Sequence, residues 1–323
     1  MYQNASLYKE IFDKLSESER TLVIAHQNPD GDAVGSMLAM NHFLNQTTGD
    51  NHIFCLTIPM DSFNFLPGIE EINSDEQIFD KHKFDTIVVL DSGDLEYAGI
   101  HTHIEKLPYN PLIVNIDHHP TNTNFGHINL VETNAASTTD ILYRLLDHNR
   151  FNITKDIATC LLTGIMTDTG SFSNLATTYQ SIQNASELLI NGAQKQEIIN
   201  NALTNQSIGM LKLWGRAFSR LIKSEFTDVV ITVITQKDFE ECGVENDSAE
   251  GVANFLNNLH GAKAVLVLKE QKGGTIKGSL RTTRDEVDVS GFARLFGGGG
   301  HKKAAGFSIN GKIKETPSGW RIV

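Results

Sequence analysis

Four times before residue 170 an apolar run gives way at its C-terminal end to aspartate or histidine, and this recurrence constrains the fold more than any other feature. Thr21–Ala25 leads into His26-Gln-Asn-Pro-Asp30-Gly-Asp32, and Thr86–Leu90 into Asp91-Ser-Gly-Asp94. Leu112–Ile116 leads into Asp117-His118-His119-Pro120, and the longer run Ala158–Met166 into Thr167-Asp168-Thr169-Gly170. The first three runs, with another at Ile53–Ile58, are short and nearly free of polar residues, as strands of a parallel sheet covered on both faces must be. Helical periodicity over Ala33–Leu44, Thr138–His148 and Asp156–Met166 completes a βα pattern, and such sheets gather their ligands outside the carboxyl ends of the strands. The clusters therefore predict one polar site on an α/β domain.

Beyond residue 178 the pattern changes. Gln180–Leu189, Lys195–Ala202 and Ile208–Lys223 read as helix, with no strand signal up to Glu225. A smaller α/β unit then begins near Thr227, with strands at Val229–Thr235, Ala264–Lys269 and Thr275–Arg281 around a helix at Ser248–His260. The expected division is 1–190, a helical linker and hinge over 191–226, and 227–323, in keeping with ~100–200 residues per domain. The net charge of −12 hides an asymmetry: from Lys263 onward there are 12 Lys and Arg against 5 Asp and Glu, leaving 15 against 34 before it. An acidic part suits cations and a basic part suits an anionic substrate, whereas a chain acidic overall does not coat long duplex nucleic acid. Three scattered cysteines offer neither a disulfide framework nor a thiolate metal site, and no apolar run approaches the ~18 residues of a membrane span. A cytoplasmic protein without membrane contact is expected.

His26, Asp30 and Asp32 place three metal donors within seven residues, although an aspartate before a helix also serves as an N-cap. Asp91, taken alone at a strand end, reads more often as turn chemistry. Adjacent His118 and His119 beside Asp117 are unusual as core filler; one could ligate while the other meets substrate. Asp168 is either a metal ligand or a solvated helix end. Oxygen and imidazole donors without thiolate favour Mn²⁺, with Mg²⁺ or Co²⁺ as alternatives, and six such residues suit two ions ~3.5–4 Å apart, the arrangement used for in-line attack on phosphorus. In the last part, Gly297-Gly-Gly-Gly300-His301-Lys302-Lys303 offers unobstructed amides beside cations, and Arg281 ends a strand in Gly278-Ser279-Leu-Arg281-Thr. Both suit a phosphate; a glycine run alone is more often a flexible loop, and no GxxxxGK[ST] spacing is present.

In order, HQNPDGDAVGS, VVLDSGD, NIDHH and GIMTDTGSF resemble the motifs of the DHH phosphoesterase superfamily, and GSLRT with GGGGHKKAAGF resembles its associated C-terminal substrate-binding domain. Within it the chain is most similar to the NrnA-type branch of nanoRNases that also act on adenosine 3′,5′-bisphosphate (pAp). The resemblance implies His26, Asp30 and Asp91 on one Mn²⁺ and Asp32, Asp91, His118 and Asp168 on the other, with Asp91 bridging. It implies that His119 contacts the scissile phosphate and protonates the leaving oxygen. Arg281, Gly299, Gly300 and His301, with Ser279 and Lys302 beside them, would grip a terminal phosphate. The activity implied is two-metal hydroxide attack on short single-stranded RNA or small nucleotides, by a protein that could pair as a homodimer. Alternatives are hydrolysis of linear or cyclic dinucleotides such as pApA and c-di-AMP, a RecJ-like single-strand DNA exonuclease, and a non-catalytic nucleic-acid-binding module. Pyrophosphatase is disfavoured because a Ser-Arg-Lys-Lys motif is missing. One departure is Ser173, where the family pattern has a basic residue.

Overall fold

A computed structural model of the chain describes residues 4–47, 50–203, 207–224, 227–244, 251–257, 259, 261–317 and 319–323. The chain divides into two compact units, Met1–Asn205 and Gln206–Val323. In the first, β1 (Thr21–Ala25), β2 (Asn51–Phe54), β3 (Ile72–Asn73), β4 (Thr86–Leu90), β5 (Leu112–Asp117) and β6 (Ile128–Val131) form one sheet in the order β3-β2-β1-β4-β5-β6. Every pair is parallel. The chain leaves β1 for β2 on one side and comes back to β4 on the other, so strand order reverses between β1 and β4. That is the switch point at which open α/β sheets take ligands.

Period-2 alternation covers both faces. Val23, Ala25, Val88, Leu90 and Val114 pack on one side with residues of the helices Ala5–Glu17, Gly31–Thr47, Thr138–His148 and Lys155–Asp168. Leu22, Ile24, Ile87, Val89 and Ile113 pack on the other with Phe79, Phe84 and Ile100. With both faces closed by apolar contacts, the polar residues that follow the strands collect at their C-terminal ends. Two of the site helices lie unusually close: a Cβ at Gly35 would meet the Cys160 carbonyl at 2.4 Å. The strand expected at Ile53–Ile58 is β2 and ends at Phe54, where the chain turns. Two-residue β3 and edge strand β6 are too short to show in the apolar pattern.

The second unit contains β7 (Ile222–Lys223), β8 (Val229–Ile234), β9 (Ala264–Gln271), β10 (Thr275–Arg281), β11 (Gly299–Gly300) and β12 (Ala304–Asn310), in the order β11-β12-β10-β9-β8-β7. A hairpin of β13 (Ile313–Thr316) and β14 (Gly319–Ile322) follows. The sheet is mixed: β8 and β9 are parallel and the other neighbours antiparallel. Helices Ile208–Ser219, Gln236–Cys242 and Val252–Leu256 cover one face over Val230, Ile234, Val265 and Val267. Helix Val289–Arg294 covers the other over Leu266, Leu280 and Phe307. Within 191–226, Lys195–Ile198 and a π-turn at Ile199–Leu203 belong to the first unit and Ile208–Ser219 to the second. The helix read through to Lys223 stops at Ser219, because Ile222 and Lys223 pair with Ile231 and Val230 as a strand. Of the helix expected at Ser248–His260, Val252–Leu256 is helical, and residues 248–250, 258 and 260 lie outside the described residues. Among the described residues no helix is long and apolar enough to cross a membrane.

Candidate active site

The strand ends carry out the convergence that the spacing requires. His26 follows β1, Asp91 follows β4, and His118 and His119 follow β5; Asp30 and Asp32 lie at the start of helix Gly31–Thr47, and Asp168 ends helix Lys155–Asp168. His26, Asp30 and Asp91 form one group of mutually close donors, Asp32, His118 and Asp168 a second, and Asp91, His118 and His119 a third. Asp91 is central: His26 Nε2 lies 3.6 Å from one of its oxygens, and His118 Nε2 and His119 Nδ1 each lie 3.6 Å from the other. His118 Nε2 is also 3.4 Å from Asp168 and 4.0 Å from Asp32. These gaps are too long for direct hydrogen bonds and close to the ~3–3.5 Å expected between donors that share a cation through bonds of ~2.1 Å. Oxygen and imidazole donors of this kind fit hard divalent ions.

The supporting contacts fix each donor. Asp30 Oδ1 accepts from the Asp32 and Ala33 amides, so Asp30 is the helix cap. Asp32, fully buried, accepts from the amides of Thr138 and Thr139 and from the Thr139 hydroxyl, at the N-terminus of helix Thr138–His148. The Thr138 hydroxyl donates to Asp91. Asp91 holds φ at 54°, a left-handed backbone uncommon outside glycine, which turns its carboxylate at the strand end and costs about 1–3 kcal/mol. His26 donates from Nδ1 to the Gln27 carbonyl, which leaves Nε2 toward Asp30 and Asp91. Buried Asp117 accepts from His119 Nδ1 at 2.8 Å and from Asn122 at 2.6 Å, and Asn122 is tied in turn to Asn115.

The electrostatics reflect crowded carboxylates. Burial, then Asp91 and Asp30, push Asp32 well above the usual carboxylate range, and burial with Asp32, Asp30 and Asp91 does the same to Asp168. Burial would raise Asp91 too, but His26, His118 and His119 outweigh it and hold Asp91 down at about 2. Burial opposes protonation of His26, yet Asp91 and Asp30 raise it to about 9; Asp117 and Asp91 overcome burial in the same way for His119, also at about 9. For His118 burial prevails and the pKa falls. Such a cluster is one that a divalent cation relieves, displacing protons as it binds. The close helix approach is part of it, since a Cβ at Gly164 would lie 2.4 Å from Asp32 Oδ1 and from the Thr139 hydroxyl. Gly164→Ala is expected to weaken Mn²⁺ binding about 10–100-fold by displacing Asp32 while circular dichroism stays native; calorimetric titration showing unchanged affinity would count against this geometry.

Residues 20–165 match the DHH family N-terminal domain, and residues 222–316 match the DHHA1 domain. The bifunctional oligoribonuclease and PAP phosphatase NrnA of Thermus thermophilus is 30% identical over 289 residues, 90% of this chain and 84% of the relative. The chain belongs to the DHH family. NrnA of Bacillus subtilis is 26% identical over 93% of this chain and 92% of its own length. Among solved structures, an exopolyphosphatase-related protein from Bacteroides fragilis superposes with a TM-score of 0.86 at 25% identity, covering 94% of this chain and 90% of that one.

In this DHH-family chain the second unit carries a cavity of about 350 Å³ with Ser279, Arg281, Gly299 and Gly300 in its wall. His301 and Lys302 lie on the exposed turn beyond β11 rather than among the described lining residues. Arg281 donates from Nε to Asn254 and from Nη1 to the Leu280 carbonyl, which fixes the guanidinium plane. Ser173 is exposed and donates to the Gly170 carbonyl. Sequence reasoning passed over Asn254, Lys269 and Lys277 of the cavity, and Thr138, Thr139, Asn122 and Tyr97 of the cluster, where the Tyr97 ring stacks on His26 with centroids 5.1 Å apart. Asn115 could have signalled the Asn122 network, as the one polar residue inside the run LIVNI.

Proposed function

We propose that the chain is a divalent-cation-dependent phosphoesterase that hydrolyses short oligoribonucleotides to mononucleotides and removes the 3′-phosphate of pAp. The observation that carries this reading is the convergence of six carboxylate and imidazole donors about Asp91 with His119 beside them. The names of the Thermus and Bacillus relatives support the substrate class. His26, Asp30, Asp32, Asp91, His118 and Asp168 would hold divalent ions, with Mn²⁺ preferred for this thiolate-free set, and such ions when bound would supply Lewis acidity and an activated water. His119 keeps a proton because Asp117 accepts from its Nδ1, and delivers one to the leaving ribose oxygen. Water adds to phosphorus as the bond from phosphorus to that oxygen breaks. Arg281, oriented by Asn254, would hold a phosphate in the cavity of the second unit. Cys55, Cys160 and Cys242 are free thiols, which supports a reducing, cytoplasmic setting.

The test is a side-by-side turnover series with 5′-labelled di- to pentaribonucleotides, pAp, pApA, short DNA and pyrophosphate, in Mn²⁺ and again with chelator. Hydrolysis of the RNA oligomers and pAp, abolished by chelator, is expected. Turnover confined to pyrophosphate or to pApA, or indifference to chelator, overturns the reading.

A further inference from the structure

Among the described residues Thr138 alone hydrogen-bonds carboxylates from separate donor groups. Its amide donates to Asp32 Oδ2 at 2.6 Å and its hydroxyl to Asp91 Oδ1 at 3.0 Å. Asp32 stands with His118 and Asp168, whereas Asp91 stands with His26 and Asp30 and again with His118 and His119. Thr138, Asp32 and Asp91 are all buried.

The helix that Thr138 opens does not need this hydroxyl. The first amides of a helix have no acceptor inside it, and here each finds one. Those of Thr138 and Thr139 donate to Asp32, that of Asp140 to the Ser137 hydroxyl, and that of Ile141 to the Ser137 carbonyl. Ser137 is therefore the cap, and the Thr138 hydroxyl serves Asp91. Among the described residues it is the one hydrogen-bond donor to that carboxylate, since the nearest histidine nitrogens stand 3.6 Å away. The terminal torsion of an aspartate is soft, so a single bond to Oδ1 decides which way the carboxylate plane faces. With Oδ1 fixed on the side of His118 and His119, Oδ2 is turned to His26. A branched Cβ restricts the threonine rotamer and so directs its hydroxyl.

We propose that Thr138 is a positioning residue that keeps Asp91 shared between two divalent ions. The inference rests on the divalent-ion reading of the cluster. Without the hydroxyl the carboxylate is free to turn and serve one ion alone. The amide of residue 138 still holds Asp32, so the loss falls on the sharing and leaves the rest of each donor group in place. Oδ1 is the oxygen on the side of His118, so the ion at Asp32, His118 and Asp168 is the one weakened.

Calorimetric Mn²⁺ titration and electron paramagnetic resonance of wild type, Thr138→Val, Thr138→Ala and Thr138→Ser test it. Valine keeps the shape and loses the hydroxyl, alanine loses both branches, and serine keeps the hydroxyl. Wild type is expected to bind two ions whose shared carboxylate gives an exchange-coupled spectrum. In Thr138→Val and Thr138→Ala one ion should bind about 10–100-fold more weakly and the other about as in wild type. At the Mn²⁺ concentration that saturates wild type, their spectra should be those of isolated ions. For a diribonucleotide kcat should fall about tenfold or more while KM stays within about twofold, and added Mn²⁺ should recover part of the loss. Thr138→Ser should restore both the second ion and the coupling. A purely structural role would instead lower the melting temperature without ions and leave the coupled spectrum intact. Two ions of wild-type affinity with a coupled spectrum in Thr138→Val or Thr138→Ala overturn the proposal and leave the phosphoesterase reading standing. A wild type that binds one ion, or two without coupling, overturns it as well, and one that binds none removes the divalent-ion reading with it.

Discussion

Asp91→Asn is expected to lower turnover of a diribonucleotide at least about a thousandfold while leaving the fold in place. Among the described residues Asp91 is the one carboxylate that belongs to two of the donor groups, with His26 at one oxygen and His118 and His119 at the other. Asn keeps the shape and tolerates the left-handed backbone at φ 54°, so the loss falls on charge and donor strength. Interactions aimed at charge that develops in a water-poor site are worth factors of ~10²–10³ each, and this residue serves two groups at once. Asp91 is held at about 2 by the three histidines, so its charge stabilises the fold above the ordinary carboxylate pKa and that contribution fades as pH falls toward 2. At pH 7 the variant therefore melts slightly below wild type without Mn²⁺, and the larger difference is with it: ion binding raises the wild-type Tm and barely moves the variant's. Kinetics and melting curves with and without Mn²⁺ check both parts. A variant within tenfold of wild type, or one with the full Mn²⁺ shift, contradicts the central role of Asp91.

The loss would fall on a residue that reads as turn chemistry when taken alone and as a metal donor only beside the other clusters, which shows where legibility ends. Strands buried on both faces and ending in Asp or His were visible because hydrophobic periodicity is local and the ligand-bearing end of a parallel sheet is fixed by topology. The conformation that aims Asp91 is a backbone property, and no residue type announces it. Asp30 and Asp32 illustrate the same limit. Either could cap the helix by spacing; packing decides that Asp30 does, while Asp32 turns inward to the amides of Thr138 and Thr139, more than a hundred residues away in sequence. Gly164 is required because two other helices bring Asp32 and Thr139 against it. In the second unit GSLR and the glycine run stood out by composition, whereas the opposition of Lys269 and Lys277 depends on a strand register that lone lysines do not reveal.

His119→Gln is the other variant with a large expected effect, and its size should depend on the leaving group. On oligoribonucleotides kcat should fall about a thousandfold, within the range for removal of a positioned general acid. On bis(p-nitrophenyl) phosphate, whose nitrophenolate departs without a proton, the loss should be tenfold or less. Asp117 supplies the companion experiment. It accepts from His119 Nδ1 and, with Asp91, raises that imidazole to about 9, so the acid is charged through neutral pH and activity declines as pH rises through its pKa. Asp117→Asn removes one of the charges responsible, and the alkaline limb should move down toward the ordinary histidine value of ~6.5. The deficit of Asp117→Asn is therefore greater at pH 8 than at pH 6, a pattern that simple loss of packing does not produce. Equal losses of His119→Gln on the two kinds of leaving group would instead make His119 a phosphate-binding residue, with the departing oxygen protonated by solvent.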